Sequence, residues 1–561
     1  MKSMDTQRLI LFFVFSFSLL LLWTEWEKEQ RPKPAAVAAT AAQPGGAKIV
    51  PGVVPTPATT AASPPAPAAQ APAPAAVPAK GEIVQIRTDL LVADIDTQGG
   101  GLVRLELLKH KETNDQSKNL ELLGPEHQYF AQSGLTGDGG PNHRTLWRVV
   151  PGERTLADGK NTLELRFSAE GKDGLLVDKV YTFKRDSYVI EVALEVRNAG
   201  PATVAPHAYF QLTHDGKQAA GGSSLAQSFG AQSFNGFAEY TTEKKFEKVQ
   251  YSDIDKGKLD HAKQASDGWI AFVQHYFVAA WVPVAAGPRD FVVEKRPDGI
   301  YSGRVVLPLA AIAPGATGKV VAPLYAGPQE QRRLKEVAPG FDLVVDYGWL
   351  TIIAWPLFWL LEKYHSLAGN WGVAIILLTV TIKIVFFPLS AASYRSMAKM
   401  KLVTPRLTKI REMYANDRAR QNQAMMELYK TEKINPLGGC LPIVVQIPVF
   451  IALYWVLLAA IELRHAPFML WIHDLSALDP YYVLPILMTV TMVVQTKLNP
   501  VPPDPVQAKV MMFMPFVFSI FFFFFPAGLV LYWLINNMLS IAQQWQIQRM
   551  FERDKPAHGK R

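Results

Sequence analysis

The sequence predicts a multi-domain membrane protein: an N-terminal anchor helix, a large antiparallel β-sandwich beyond the membrane, and a five-span α-helical core. Three observations carry that expectation. Of 561 residues, 49% are hydrophobic and only 19% charged, against about 25% charged in an ordinary soluble chain. Strand-like alternation fills the middle of the chain, and long apolar runs fill its last third. The length allows three or four units at about 150 residues each. The single cysteine, Cys440, excludes an intramolecular disulfide framework and a cysteine-rich zinc or iron-sulfur site.

Leu9 to Trp23 is apolar except for Ser16 and Ser18; it follows Lys2 and Arg8 and precedes Glu25, Glu27 and Glu29. The small residues that cleavage needs begin only at Ala35, so residues 1–26 read as a retained transmembrane anchor with a cytoplasmic amino terminus. Residues 27–81 read as an Ala/Pro-rich disordered tether. Its stretch 32–80 holds 18 Ala and 12 Pro, no aromatic residue, and Lys33, Lys48 and Lys80 as its charges, a composition that cannot bury a core. Residues 82–340 read as the sandwich. Tyr188, Ile190, Val192, Leu194 and Val196 alternate with Glu191, Glu195 and Arg197, and Asp298-Gly299 forms a hairpin turn between two strand-like runs.

The rest divides by hydropathy and charge. Residues 367–390, 436–462, 480–498, 509–525 and 526–546 are read as the second to sixth spans, and Pro526-Ala527-Gly528 separates the last two. Residues 391–435 are a helical hairpin, with helices at Ala391 to Tyr414 and Arg418 to Lys433 joined at Asn416-Asp417. Segment 389–437 holds ten Lys or Arg against four acids, which places it in the cytoplasm by the positive-inside rule. One span must therefore separate it from the sandwich, so the Trp-rich, Pro356-broken stretch within 341–366 is an amphipathic helix in the outer interface. Both termini are then cytoplasmic, the last as a basic tail, 547–561.

Enzyme signals fail on inspection. Ala313 to Val320 resembles a phosphate loop, but Ala313 replaces its first glycine and Val320 the magnesium-binding hydroxyl. There is no H-E-x-x-H pair and no G-x-S-x-G elbow. His473-Asp474 reads as an interfacial structural pair. The informative residue is Lys383, inside the apolar run Trp371 to Phe387. An ammonium in hydrocarbon costs about 2.5–3.5 kcal/mol on insertion scales, so it faces water or a partner. Pro388 is five residues on, about 7 Å along a helix, so snorkelling to the interface is the bland reading. Thr379 lies one turn away on the same face, and Gln446, Gln495, Asn536 and Asn537 put polar groups in other spans. The apolar runs Leu9 to Trp23, Trp371 to Phe387, Leu441 to Ile461, Tyr481 to Gln495 and Val510 to Ile541 hold no acid to neutralise Lys383, which leaves room for a carboxylate on a passing ligand. Methionines at 397, 400, 413, 425 and 426 suit either an adaptable apolar surface or ordinary helix packing.

The runs Ser396 to Met400 (SMAKM), Asn435 to Pro442 (NPLGGCLP), Trp471 to Leu487 (WIHDLSALDPYYVLPIL) and Phe525 to Trp533 (FPAGLVLYW) resemble the YidC family of membrane protein insertases, in its Gram-negative form. The resemblance implies a bacterial inner-membrane insertase and chaperone, without ATP, cofactor, metal or catalytic residue, working alone or with the Sec translocon. It implies a periplasmic sandwich of the supersandwich kind and a hydrophilic groove open to cytoplasm and lipid. Lys383 maps onto the groove's basic residue, with Thr379, Gln446, Tyr532 and Trp533 as further lining. The best-known members carry arginine there; lysine keeps the charge and loses the planar fork. Partners implied are newly made membrane proteins, the translocon and the bilayer, with no specific nucleic acid. Relatives with a long basic tail add the ribosome, whereas the tail here ends soon after Arg549. Two other classes compete: a solute transporter or channel with a periplasmic binding domain, and an assembly scaffold in which Lys383 only snorkels.

Overall fold

A computed structural model describes residues 81–113, 115–137, 139–217, 234–432, 441–499 and 505–553. The anchor, nearly all of the tether, Asn435 to Cys440 and the end of the tail lie outside these. The chain divides into two compact units, with the boundary between Val345 and Asp346.

Alternation builds the first unit. In Val189–Asn198, Ile190, Val192, Leu194 and Val196 are buried, whereas Arg197 is exposed. The strand pairs Leu175–Lys184 on one side and Thr317–Pro328 on the other, both antiparallel. The sheet around it runs Lys245–Val249, Gly236–Thr241, Trp269–Gln274, Phe277–Trp281, Thr317–Pro328, Val189–Asn198, Leu175–Lys184, Thr162–Glu170 and Arg148–Val149. A second nine-stranded sheet runs Ile83–Arg87, Leu91–Asp96, Gly101–Lys111, Phe130–Leu135, His207–His214, Tyr301–Pro308, Arg289–Lys295 and Gln264–Ala265, with Asn119–Leu123 paired to Gly101–Lys111. The Asp298-Gly299 turn forms, with Gly299 at φ 84° and Lys295 opposite Tyr301. The sheets pack face to face through Phe210 on Trp281, ring centres 5.1 Å apart. At Gly303 a side chain would run into Phe237 of the facing sheet, so only glycine lets them close there.

The second unit is helical. Its elements are α1 (Thr351–Ala368), α2 (Trp371–Val385), α3 (Phe387–Met413), α4 (Arg418–Thr431), α5 (Leu441–Ala459), α6 (Val483–Leu498), α7 (Pro505–Phe522) and α8 (Ala527–Arg553). Among the described residues no single helix is long and apolar enough to cross a membrane; α2 and α3 together pass that test, bent by 66° at the break between them. The span expected over 367–390 therefore ends at Val385, five residues early. The break at Phe386 has a physical cause in Pro388, at the start of α3, which lacks an N–H and crowds the carbonyl one turn back. The hairpin's first helix therefore starts at Phe387. Asp417 caps α4 by accepting from Arg420 N at 3.0 Å, and Val403 and Leu407 form a small core with Met400, Met425, Leu428 and Tyr429. On α1, Ala354, Phe358 and Leu361 are buried, whereas Ile352, Trp355 and Trp359 are exposed.

Candidate functional site

Lys383 sits near the end of α2 and is 5% exposed. Its Nζ donates to Ser540 Oγ at 2.6 Å. Ser540 Oγ in turn donates to the Asn536 carbonyl, one turn back on α8, at 2.7 Å, so the serine's one hydrogen is spent and its oxygen only accepts from the lysine. The Tyr394 hydroxyl, from α3, lies beside Ser540 and beside Gln495 of α6. Four helices thus bring polar groups to one buried point. Among the described residues, no acidic side chain forms an ion pair with Lys383.

Thr379 is fully buried and donates to Ile375 O at 2.7 Å, so its hydroxyl is satisfied within α2. Tyr532 and Trp533 lie two turns before Ser540, about 10 Å along α8. They meet Phe450 of α5 at ring distances of 6.2 and 4.5 Å, and Trp533 meets Phe522 at 5.6 Å. Gln446 is half-buried one turn before Phe450 and joins the group only by that position. The structure therefore assembles a polar end, Lys383 with Ser540, Tyr394 and Gln495, and an aromatic end around Trp533. Asn537 is drawn elsewhere, to Met488 Sδ at 3.5 Å, and Gln544 to Leu498 O at 3.2 Å. Sequence reasoning missed Ser540 and Tyr394. The spacing Asn536, Ser540, Gln544, four residues apart on one face of an apolar helix, was the available signal for the serine.

The bundle is closed at the end where α2 and α8 begin. Asn370 accepts from Val373 N at 3.1 Å and donates to Phe468 O at 2.9 Å. Ala527 N and Gly528 N donate to Ala477 O and Leu475 O at 2.7 and 2.9 Å, so the runs Trp471 to Leu487 and Phe525 to Trp533 meet here. Asp479, 2% exposed, accepts from Trp471 Nε1 at 3.0 Å and Leu484 N at 2.7 Å. Asp474 pairs with His465 at 3.0 Å.

One group among the described residues has metal-ligand spacing: His127, His214 and Asp215, in the sandwich, with ligand atoms within 4.8 Å of one another. His214 Nδ1 already accepts from Gly216 N at 2.9 Å and lies 3.0 Å from the Tyr251 hydroxyl. Its Nδ1 lone pair is engaged, and Asp215 stands 3.6 Å from both imidazoles, so the group reads as a structural cluster around His214.

Residues 83–360 match the family model for the YidC periplasmic domain, and residues 363–555 that for the 60Kd inner membrane protein. The chain is 54% identical over 554 residues to the membrane protein insertase YidC of Aromatoleum aromaticum, covering 98% of this chain and 99% of that one. It is 54% identical over 550 residues to the protein of the same name from Dechloromonas aromatica, covering 98% of each. Among solved structures it is similar to an active YidC insertase crystal structure with the first transmembrane domain resolved, at 16% identity and a TM-score of 0.38, covering 83% of this chain and 94% of that one.

Proposed function

The chain belongs to the YidC family of membrane protein insertases, and from that premise we propose that incoming clients pass the buried site formed by Lys383, Thr379, Gln446, Tyr532 and Trp533. The observation that carries this reading is a buried ammonium whose acceptor is a neutral hydroxyl. A charge held that way keeps its field for an outside anion. At 4 Å and an effective dielectric near 20, a client carboxylate gains about 4 kcal/mol from it before desolvation. The aromatic end, two turns along α8, offers apolar surface to the same segment.

The mechanism needs no nucleotide. A polar pocket reaching into the bilayer shortens the apolar barrier for a hydrophilic tail, while the closed end beneath loop 464–482 keeps the far side sealed. The client's own apolar span then partitions into lipid at about 0.3–0.6 kcal/mol per Leu, Ile, Val or Phe, and the membrane potential pulls acidic tails across. We place the protein in the inner membrane with six spans, both termini cytoplasmic and the sandwich periplasmic. The bend in α2–α3 lets that pair serve as one span and its cytoplasmic continuation. The exposed Ile352, Trp355 and Trp359 of α1 suit a helix lying in the outer interface. The partners are newly made membrane proteins and the Sec translocon.

The test is photocrosslinking from position 379 or 533 to nascent chains, where many unrelated clients are expected to be trapped. Lys383→Glu should slow insertion of an acidic-tailed client into proteoliposomes by about tenfold, about 1.4 kcal/mol, and Lys383→Arg far less. Normal insertion by the Glu variant would remove the electrostatic part of the reading.

A further inference from the structure

The hydrogen-bond directions at Lys383 single out its partner. A lysine ammonium has three hydrogens to donate, and among the described residues one goes to a protein side chain, Ser540. Ser540 cannot give a hydrogen back, because its own is spent on the Asn536 carbonyl at 2.7 Å. It is buried, and Tyr394 and Gln495 crowd the same point from two other helices. The chemistry of position 540 therefore decides how the ammonium is held. A carboxylate there would neutralise it inside the protein, through a charge-assisted bond about twice as strong as one to a neutral acceptor. An apolar residue would leave the ammonium unanchored and its stem free to extend toward the headgroups. A hydroxyl fixes the ammonium's place and leaves its charge uncompensated.

We propose that Ser540 is a specificity-determining residue: it positions Lys383 through a neutral acceptor that a client carboxylate displaces, so the site favours acidic translocated segments because its own partner carries no charge. This rests on the reading of Lys383 as part of the client path. Neither charge repulsion nor shape is needed to discriminate an acidic tail from its amide counterpart. The acidic tail replaces one neutral acceptor with a charged one, and the amide tail exchanges one neutral acceptor for another.

The test uses the full chain in proteoliposomes with two clients that differ only in the translocated tail, Asp and Glu in one and Asn and Gln in the other. The ratio of the two insertion rates is the readout, because a merely structural loss lowers both rates alike. Ser540→Asp should lower the acidic-to-amide ratio about tenfold, since a resident carboxylate cancels the charge, and Ser540→Thr, which restores the hydroxyl, should keep the wild-type ratio. If Ser540→Asp protein fails to accumulate, Ser540→Ala takes its place with a drop of about threefold, the lysine being charged but unanchored. An unchanged ratio in Ser540→Asp, or in Ser540→Ala where it stands in, overturns the proposal. Lys383→Gln separates the two levels. If it leaves the ratio unchanged, the reading of Lys383 fails; if it abolishes the ratio while Ser540→Asp preserves it, that reading stands and the role of Ser540 falls.

Discussion

Lys383 has a counterpart in the sandwich that shows what a purely structural buried lysine looks like. Lys179 is fully buried, and its Nζ donates to the carbonyls of Gly99, Gly100 and Ser133 at 2.9, 3.1 and 2.8 Å, over the Trp147 ring at 4.5 Å. All three ammonium hydrogens end on fixed backbone atoms, and they join a strand of one sheet to residues of the other. Nothing is left for a ligand. Burial pushes the Lys179 ammonium down to about 7, opposed by those three acceptors, which favour the charged form. Lys179→Met should cost about 2–5 kcal/mol, because it takes the side-chain donor from the buried carbonyls of Gly99 and Ser133, whereas Gly100 O keeps the Tyr181 hydroxyl at 2.6 Å; denaturant unfolding followed by tryptophan fluorescence would measure it, and a loss under 1 kcal/mol would contradict the accounting. His214 titrates on the acid side. Burial, with Phe272 stacked at 4.4 Å, pushes its imidazole from 6.5 down to about 4. The unfolded chain then binds the proton first as pH falls, so the neutral imidazole's contribution is complete above 6.5, is lost between 6.5 and 4, and is gone below. The expected loss is about 3 kcal/mol. His214→Phe should flatten that stretch of the stability profile, and an unchanged acid limb would show that other groups govern it.

At the scale of elements, the closed end of the bundle depends on one cap. Asn370 both starts α2, by accepting from Val373 N, and holds loop 464–482, by donating to Pro467 O at 3.3 Å and Phe468 O at 2.9 Å. Asn370→Ala removes all three bonds. The cap alone is worth about 1 kcal/mol, so amide exchange in the loop should quicken by about tenfold; exchange that stays at the wild-type rate would mean the Ala527 and Gly528 bonds suffice. Gly372 makes the same joint tight, since a Cβ there would strike the Phe468 ring. The elements themselves were largely legible. Strand Val189–Asn198 announced itself by alternation, and the hairpin at Gly299 by its turn residues, because both signals are local. The break at Phe386 was not: Pro388 reads equally as the end of a span or as a kink, and only packing decides. Lys383 stood out as a charge in an apolar run. Its partner did not, because Ser540 is 157 residues away and a serine in a helix is unremarkable until tertiary structure brings an ammonium to it.

For the whole molecule, the net charge of +8 divides unevenly along the chain. Segments 1–8, 389–437, 497–509 and 549–561 hold 19 basic and 8 acidic residues, or +11, which leaves 38 basic against 41 acidic, or −3, for everything else. A nucleic-acid binder would gather such an excess on one folded face; here it marks the segments assigned to the cytoplasm. The assignment hangs on α1. If α1 crossed the bilayer, the α3–α4 hairpin and its ten basic residues would lie outside, against the positive-inside rule. Its 18 residues carry Pro356, Glu362 and Lys363, and Ala354, Phe358 and Leu361 are buried in the unit while Ile352, Trp355 and Trp359 are not. That two-faced pattern fits a helix lying at the interface, with the indoles at headgroup level. With the native thiol removed by Cys440→Ser, a cysteine at Lys430 in α4 should therefore react with an impermeant maleimide only in inverted vesicles. One at the exposed Asp158 of the sandwich should react only in intact spheroplasts. Labelling of position 430 from outside would turn α1 into a span and take Lys383 off the cytoplasmic side, and with it the route proposed for clients.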